Sequence, residues 1–239
     1  MKFSILNVIF LTTLISNPIF ADSTGYGLHD SNPSGWVGTI SAGPTWAYQG
    51  REERFFLTPN IIKTYLPDKS IPGIFYGEFF IGRQKSWTQT IESHLGLALA
   101  ASNDAQLNGF IIDTSGLQPP ELNYNYDIQH THLALKAKVL TDWGWFLPWL
   151  SASVGVGFNN AHGFVTQGAD FIPEPVFNFK SHQETSLTYT LGLGIQKTMN
   201  PHWQIGMGYE FADWGRSRLD RAEGQTLNTG LSLNHFYTD

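Results

Sequence analysis

Alternation of large apolar residues with small or polar ones, repeated along the chain, constrains this fold more than any other feature. Segment 184–197 has large residues on one face and serine, threonine and glycine on the other; the large ones are Leu187, Tyr189, Leu191, Leu193 and Ile195. A period of two residues is that of a β-strand, whose successive side chains point to opposite faces. The pattern predicts eight strands, near 35–48, 74–84, 91–101, 127–140, 146–159, 184–197, 202–214 and 226–237.

The second face of these strands separates two all-β architectures. A soluble β-sandwich also alternates, but its outer face is solvated and polar. Here only 14% of the residues are charged, against about 25% in an average soluble domain. Small side chains suit the interior of a narrow barrel, and the sequence has no run of 18 apolar residues that would predict a spanning helix. We therefore predict an all-β, eight-stranded antiparallel up-and-down transmembrane barrel, with a secreted soluble sandwich as the alternative.

The connections between the predicted strands alternate in length. The long ones cover 49–73, 102–126, 160–183 and 215–225, and the short ones cover 85–90, 141–145 and 198–201. Outer-membrane barrels alternate long surface loops with short periplasmic turns in this way. Tryptophans near the segment ends, such as Trp36, Trp143 and Trp203, fit the aromatic girdles at the two membrane interfaces.

The amino terminus predicts export. Residues 1–21 are typical of a cleavable secretory signal peptide, because Lys2 precedes an apolar stretch over 5–15 and Ala21 offers a small residue for cleavage. Residues 22–34 are predicted as an irregular periplasmic leader and 35–239 as the barrel domain. The sequence has no cysteine, which excludes a disulfide framework, a thiolate metal site and a lipoprotein anchor. We expect the barrel to be a monomer.

Three segments carry a family resemblance, namely 95–100 (LGLALA), 189–196 (YTLGLGIQ) and 203–215 (WQIGMGYEFADWG). They resemble the small outer-membrane β-barrels of Gram-negative bacteria, the opacity-protein and OmpA-transmembrane-domain-like family. The resemblance implies an integral protein of the cell outer membrane with a structural or adhesin-like surface role. The carboxyl end departs from the family, because Asp239 stands where relatives have a terminal aromatic residue. The last strand is either short, ending at Tyr237, or incomplete.

Titratable residues on one face of the predicted strands form a candidate lumen network. They are Glu78, Glu92, His94, His130, His132, Lys136, Lys138 and Glu210. These residues could form a metal or proton site, or a set of ion pairs and hydrogen bonds that fills the interior. Their spacing lacks a compact ligand set, and Lys136 would oppose a bound cation, so we favour the second interpretation and expect no metal or cofactor. Eight strands enclose little more than side chains, which predicts a plugged interior, with a narrow channel or porin as the alternative function.

Recognition is expected in the long loops 49–73, 102–126 and 160–183, facing a host or envelope partner. Their aromatic residues, such as Tyr65 and Tyr124, form either a binding patch or strand extensions above the membrane. Basic residues of the loops are expected to contact lipopolysaccharide phosphates, which arginine binds in a bidentate manner. These are Arg51, Arg54, Arg216, Arg218 and Arg221. A net charge of −6 without a basic cluster argues against a nucleic-acid partner.

A lipid A-modifying outer-membrane enzyme is a further alternative. It would draw on Ser153, His162, Ser181 and His182. A nucleophilic serine needs a histidine in hydrogen-bond contact and an acid that orients the histidine. No motif in this sequence imposes that arrangement, so we predict that the protein is not an enzyme.

Overall fold

The structure, a computed structural model, describes residues 10–15, 34–46, 52–58, 61–68, 73–113, 122–167, 178–226, 230–231 and 234–238. All regular secondary structure in these ranges is β-strand. In chain order the strands are β1 (Phe10–Ile15), β2 (Ser34–Trp46), β3 (Glu53–Thr58), β4 (Ile61–Pro67), β5 (Gly73–Ser86), β6 (Ile91–Ser102), β7 (Ala105–Asp113), β8 (Leu122–Thr141), β9 (Leu147–Gln167), β10 (Phe179–Lys180), β11 (His182–Asn200), β12 (Trp203–Ser217), β13 (Asp220–Ala222) and β14 (Asn234–Thr238). Across the described ranges, no helix is long and apolar enough to cross a membrane.

One twelve-stranded sheet contains every strand except β10 and β13, which pair with each other. Within it β2, β5, β6, β8, β9, β11 and β12 follow one another as antiparallel neighbours. Strands β3, β4 and β7 extend the sheet beside the first part of β8. The prediction of an all-β antiparallel fold is confirmed. The predicted count of eight strands is wrong, because parts of the predicted long connections form strands of their own.

Seven of the eight predicted segments coincide with long strands. Strands β5 and β6 begin and end within two residues of their predicted bounds. Strands β8 and β9 are longer than predicted, at 20 and 21 residues, because the alternation continues into the predicted connections 102–126 and 160–183. The eighth segment, 226–237, contains most of the short strand β14 and little other regular structure among its described residues.

The edge of β12 has two partners at different heights. Strand β1, which lies within the predicted signal peptide 1–21, pairs with β12 over 203–208 and with β2 over 38–42. Strand β14 pairs with β12 further along, over 212–217. Nearly all of the predicted leader 22–34 lies outside the described residues.

The two faces of the main sheet differ in chemistry. One face, here called the outer face, exposes large apolar side chains, with Leu187 at 70% and Leu150 at 66% exposure. The other, the inner face, is buried and contains Glu78, Lys136 and Glu210. These three side chains come from β5, β8 and β12, which are not neighbours in the sheet, yet they meet. The sheet therefore curves around its inner face, which encloses these charged groups, while the outer face exposes large apolar side chains.

Candidate functional site

The outer face carries a band of apolar side chains on six neighbouring strands. Its members, each at least 40% exposed, include Phe79 and Ile81 on β5, Leu95, Leu97 and Leu99 on β6, Leu133, Leu135 and Val139 on β8, Leu150, Val154, Val156 and Phe158 on β9, Leu187, Leu191, Leu193 and Ile195 on β11, and Ile205 and Met207 on β12. Towards the long connections the outward-facing positions become polar. Gln129 occupies such a position on β8, and Gln183 on β11 pairs with Asn160 on β9. Towards the short turns they become basic and tryptophan-rich. The band is thus bounded at both ends.

A three-residue ion group lies at the middle of the inner face. The Lys136 ammonium donates hydrogen bonds to Glu78 Oε1 at 2.7 Å and Oε2 at 2.9 Å, and to Glu210 Oε2 at 2.7 Å. One cation therefore neutralises two carboxylates from opposite parts of the sheet. The hydroxyls of Ser153 and Thr190, also on the inner face, hydrogen-bond each other at 2.8 Å. Such pairing stabilises charged and polar groups that have been removed from water.

A histidine pair lies on the inner face nearer the long connections. His130 Nε2 and His132 Nδ1 are 2.9 Å apart, and His130 Nδ1 lies 2.6 Å from Asn159 Oδ1. The His130 ring stacks on Trp214 at a centroid distance of 4.3 Å. The Asn159 amide in turn donates to the backbone carbonyl of Trp214 at 2.8 Å. These contacts join three strands by neutral hydrogen bonds and ring stacking, and the described residues form no cluster of three or more metal-ligating side chains.

Lys138 and Trp149 fill the inner face nearer the short turns. Lys138 Nζ donates to Gln196 Oε1 at 2.7 Å and lies 4.5 Å from the centre of the Trp149 ring. The indole packs against Gly194 and Gly208, where a Cβ atom would collide with it. The space left beside these groups is a cavity of about 30 Å³, enough for about one water molecule. At this level the interior is filled by side chains.

The sequence-predicted lumen residues therefore divide into separate groups. Glu78, Lys136 and Glu210 are brought together, and His130 pairs with His132. Lys138 contacts an amide and an indole rather than a carboxylate. The remaining two residues, Glu92 and His94, pair with each other at 2.5 Å towards the short turns.

A cluster of aromatic rings closes the inner face at the long-connection end. Tyr65 on β4 lies 5.7 Å from the rings of both Tyr124 and Phe179, and Phe164 lies 5.1 Å from Phe179. All four side chains are buried. The loop aromatics Tyr65 and Tyr124 thus pack together on strand extensions instead of forming an exposed patch. The sequence analysis did not predict that Phe164 and Phe179 belong to this cluster. Alternation along β9 could not have placed Phe164 on the inner face, because the register between β8 and β9 shifts beside it.

An amide-lined cleft lies on the same extension. It has a volume of about 280 Å³, and its polar side chains are those of Asp68, Asn108, Asn123, Asn125 and Gln167. Side-chain amides offer both donors and acceptors, so this surface can bind a polar partner by hydrogen bonds.

The four described arginines among those expected to contact phosphates are not gathered into one site. Arg54, Arg216 and Arg221 are exposed, each on a different strand. Arg218 Nε lies 3.5 Å from Glu184 Oε2, so its charge is partly neutralised. Arg51 lies outside the described residues.

No serine–histidine hydrogen bond joins the described residues of the enzyme alternative, although Ser181 and His182 are neighbours in the chain. The Ser153 hydroxyl hydrogen-bonds Thr190 rather than a histidine. His162 Nδ1 faces its own strand, 3.4 Å from the carbonyl of Asn160. The contacts of the described residues contain no chain of serine, histidine and carboxylate centred on these groups.

Comparison with protein-family models, with curated proteins and with solved structures found no match to this chain.

Proposed function

We propose that this chain is an integral outer-membrane β-barrel protein, without enzymatic activity, that has a structural or adhesin-like surface-interaction role at its long-connection end. The observation that carries the proposal is the pairing of an apolar outer band with a charged and hydrogen-bonded inner face. A soluble sheet would place these surfaces the other way round. Lipid around the molecule accounts for exposed leucine at 55% and above on β6, β9 and β11.

The height of the apolar band supports the membrane assignment. On β11 the band runs from Leu187 to Ile195, which is about 26 Å along a strand at about 3.3 Å per residue. A strand tilt of about 40° reduces this to about 20 Å along the membrane normal, close to the height of about 25 Å usual for the apolar band of outer-membrane barrels. Tryptophans Trp143, Trp145 and Trp203, all exposed, lie at its short-turn border, where interfacial girdles occur.

The strand pairings form a continuous curved wall from β2 to β12, which is the part of a barrel on which the proposal rests. Strand β8 pairs with both β6 and β9, and the neighbours continue from β2 in one direction and β12 in the other. Between β12 and β2, strand β1 pairs with both but lies within the predicted signal peptide, and β14 pairs with β12 alone. Closure matters because lipid offers no hydrogen-bond partner to an open strand edge.

The contents of the interior favour a structural protein over a channel. The ion group of Lys136, the histidine pair, Trp149 and the aromatic cluster occupy successive levels, and only about 30 Å³ remains beside Lys138. A conducting pore needs a continuous aqueous path, which these side chains interrupt. The amide-lined cleft beyond the band provides the surface for a partner.

The proposal is tested by fractionating cells and comparing unheated with heated samples on an SDS gel. We expect the protein in the outer-membrane fraction and a band that shifts on heating, because a closed barrel resists SDS until it is boiled. Protein in the soluble fraction, or a band that does not shift, would contradict the membrane assignment.

Two further experiments test the alternative functions. Single-channel recording in a planar bilayer tests the narrow-channel alternative. Mass spectrometry of lipid A from cells with and without the protein tests the enzyme alternative.

A further inference from the structure

Three cations on the outer face stack on exposed indole rings at the short-turn border. The Arg83 guanidinium carbon lies 5.3 Å from the centre of the Trp36 ring, Lys85 Nζ lies 4.4 Å from Trp87, and a third pair of the same kind is found on β11. In that pair Lys197 Nζ lies 4.7 Å from the Trp145 ring. Trp36 is 53% exposed and Trp87 is 65% exposed, so the pairs stand at the surface.

Two of these pairs form one patch. Arg83 and Lys85 are two residues apart on β5 and point to the same face, about 7 Å from each other along the strand. Trp36 on β2 lies directly opposite Arg83 in the strand register. The Trp87 indole is fixed by a 2.7 Å hydrogen bond from its Nε1 to Ser93 Oγ on β6. Two cations and two indoles therefore present a preformed surface.

Among the described residues, no carboxylate forms an ion pair with the patch. The ion pairs of the described residues do not involve Arg83 or Lys85. Two described carboxylates near the short turns have other partners, since Glu92 contacts His94 and the Asp142 carboxylate accepts a hydrogen bond from the backbone of Gly144 at 2.6 Å. Two positive charges thus remain available to a ligand from outside.

The position of the patch identifies that ligand, on the premise of the membrane function proposed above. Along β5 the apolar band ends at Ile81 and the next two outward residues are Arg83 and Lys85. Their charges lie at the level where lipid headgroups begin. Arginine binds phosphate through paired N–H donors, lysine as a point charge, and tryptophan rings favour the same interfacial layer.

We propose that Arg83, Lys85, Trp36 and Trp87 form a binding site for the phosphate headgroup of an anionic phospholipid. The two cations neutralise and hydrogen-bond the phosphodiester, while the indoles cover the glycerol region and keep the cations in place. A zwitterionic lipid brings its own ammonium group to the two cations and is bound less strongly.

The test uses the full chain refolded into phosphatidylcholine vesicles that contain a small fraction of brominated lipid, whose bromine quenches nearby tryptophan fluorescence. Brominated phosphatidylglycerol should quench wild type more than brominated phosphatidylcholine at the same mole fraction. Each basic residue near a membrane surface favours an anionic lipid several-fold, so Arg83→Gln/Lys85→Gln should weaken the preference by about thirtyfold. Arg83→Lys/Lys85→Arg should keep it, because the charges remain.

A matched control removes one charge at the other end of the molecule. Lys180→Gln, at an exposed position on β10, should leave the preference for phosphatidylglycerol unchanged.

The proposed lipid site would be overturned by an Arg83→Gln/Lys85→Gln variant that still prefers phosphatidylglycerol, or by a wild type without that preference. Loss of the preference on adding equimolar lipid A would show that the phosphate comes from lipopolysaccharide and would overturn the phospholipid assignment. A wild-type chain that fails to enter vesicles and shows no heat-dependent band shift would instead contradict the proposed membrane function.

Discussion

Replacing Lys136 by methionine tests whether the inner face is held by ion pairs. The Lys136 ammonium lies 2.7 Å from both Glu78 Oε1 and Glu210 Oε2, and all three residues are buried. Methionine retains the apolar stem but removes the charge, so two carboxylates are left facing each other without a cation. Removing one partner of a buried ion pair costs about 3–5 kcal/mol. The free energy of unfolding of Lys136→Met should fall by that amount.

Three further variants separate charge from packing. Glu210→Gln leaves the Lys136–Glu78 pair in place and should cost about 1.5–3 kcal/mol, the value of one charged hydrogen bond. The triple variant Lys136→Met/Glu78→Gln/Glu210→Gln removes every charge of the group and should recover much of the loss. Glu184→Gln breaks the half-exposed pair with Arg218 and should cost less than about 1 kcal/mol.

The measurement is urea-induced unfolding of the refolded protein in vesicles, with the folded fraction taken from the heat-dependent band shift. A Lys136→Met variant that loses no more stability than Glu184→Gln would refute the reasoning, because the two carboxylates would then be solvated or apart. A triple variant less stable than Lys136→Met would also refute it, because the loss would then come from packing.

The other predictions concern the outer face, the interior and the aromatic cluster. Leu193→Arg, at an outer position that is 56% exposed, should cost about 2–4 kcal/mol if it lies near the membrane midplane, and a variant that folds and partitions like wild type would contradict the lipid-facing assignment. Gly208→Ala places a methyl group against Trp149 and should cost about 1–3 kcal/mol in urea unfolding, whereas Gly35→Ala, which has open space around it, should be near neutral. Burial raises the pKa of the Tyr65 hydroxyl above its ordinary value of 10.0. The hydroxyl therefore ionises at a lower pH in the unfolded chain than in the folded one. The folded state keeps its full stability below pH 10 and loses part of it as the pH rises further. Urea unfolding between about pH 9 and 12 should show this decline, and Tyr65→Phe should show a weaker one.

The outer band could be predicted from the sequence because its signal is local. In a strand the face of a residue depends only on whether its number is odd or even relative to its neighbours. Leu191 and Leu193 on one face and Gly192 and Gly194 on the other therefore assign both faces before any partner is known. The same rule placed Glu78, Lys136 and Glu210 on the inner face.

The pairings across the interior could not be predicted in this way. Lys136 is separated from Glu78 by 58 residues and from Glu210 by 74, and alternation does not give the height of one strand relative to another. The stacking of His130 on Trp214 likewise depends on the relative heights of β8 and β12, which alternation does not give. The bounds of strands β3, β4 and β7 could not be predicted for another reason, since loop segments rich in aromatics fit both a binding patch and a strand extension until their pairing is seen.

Under the membrane function proposed above, the length of β8 and β9 determines how far from the bilayer a partner makes contact. Beyond the apolar band the two strands continue together as a hairpin wall, and from Gln129 to Asn123 the side chains facing outwards are polar. This projection measures about 20 Å along the strand and carries the amide-lined cleft at its far end. A partner as bulky as a polysaccharide or a folded domain can therefore reach the cleft without displacing lipid. The two strands then hold the cleft away from the membrane surface, and shortening them would bring the binding surface to the level of the lipid headgroups.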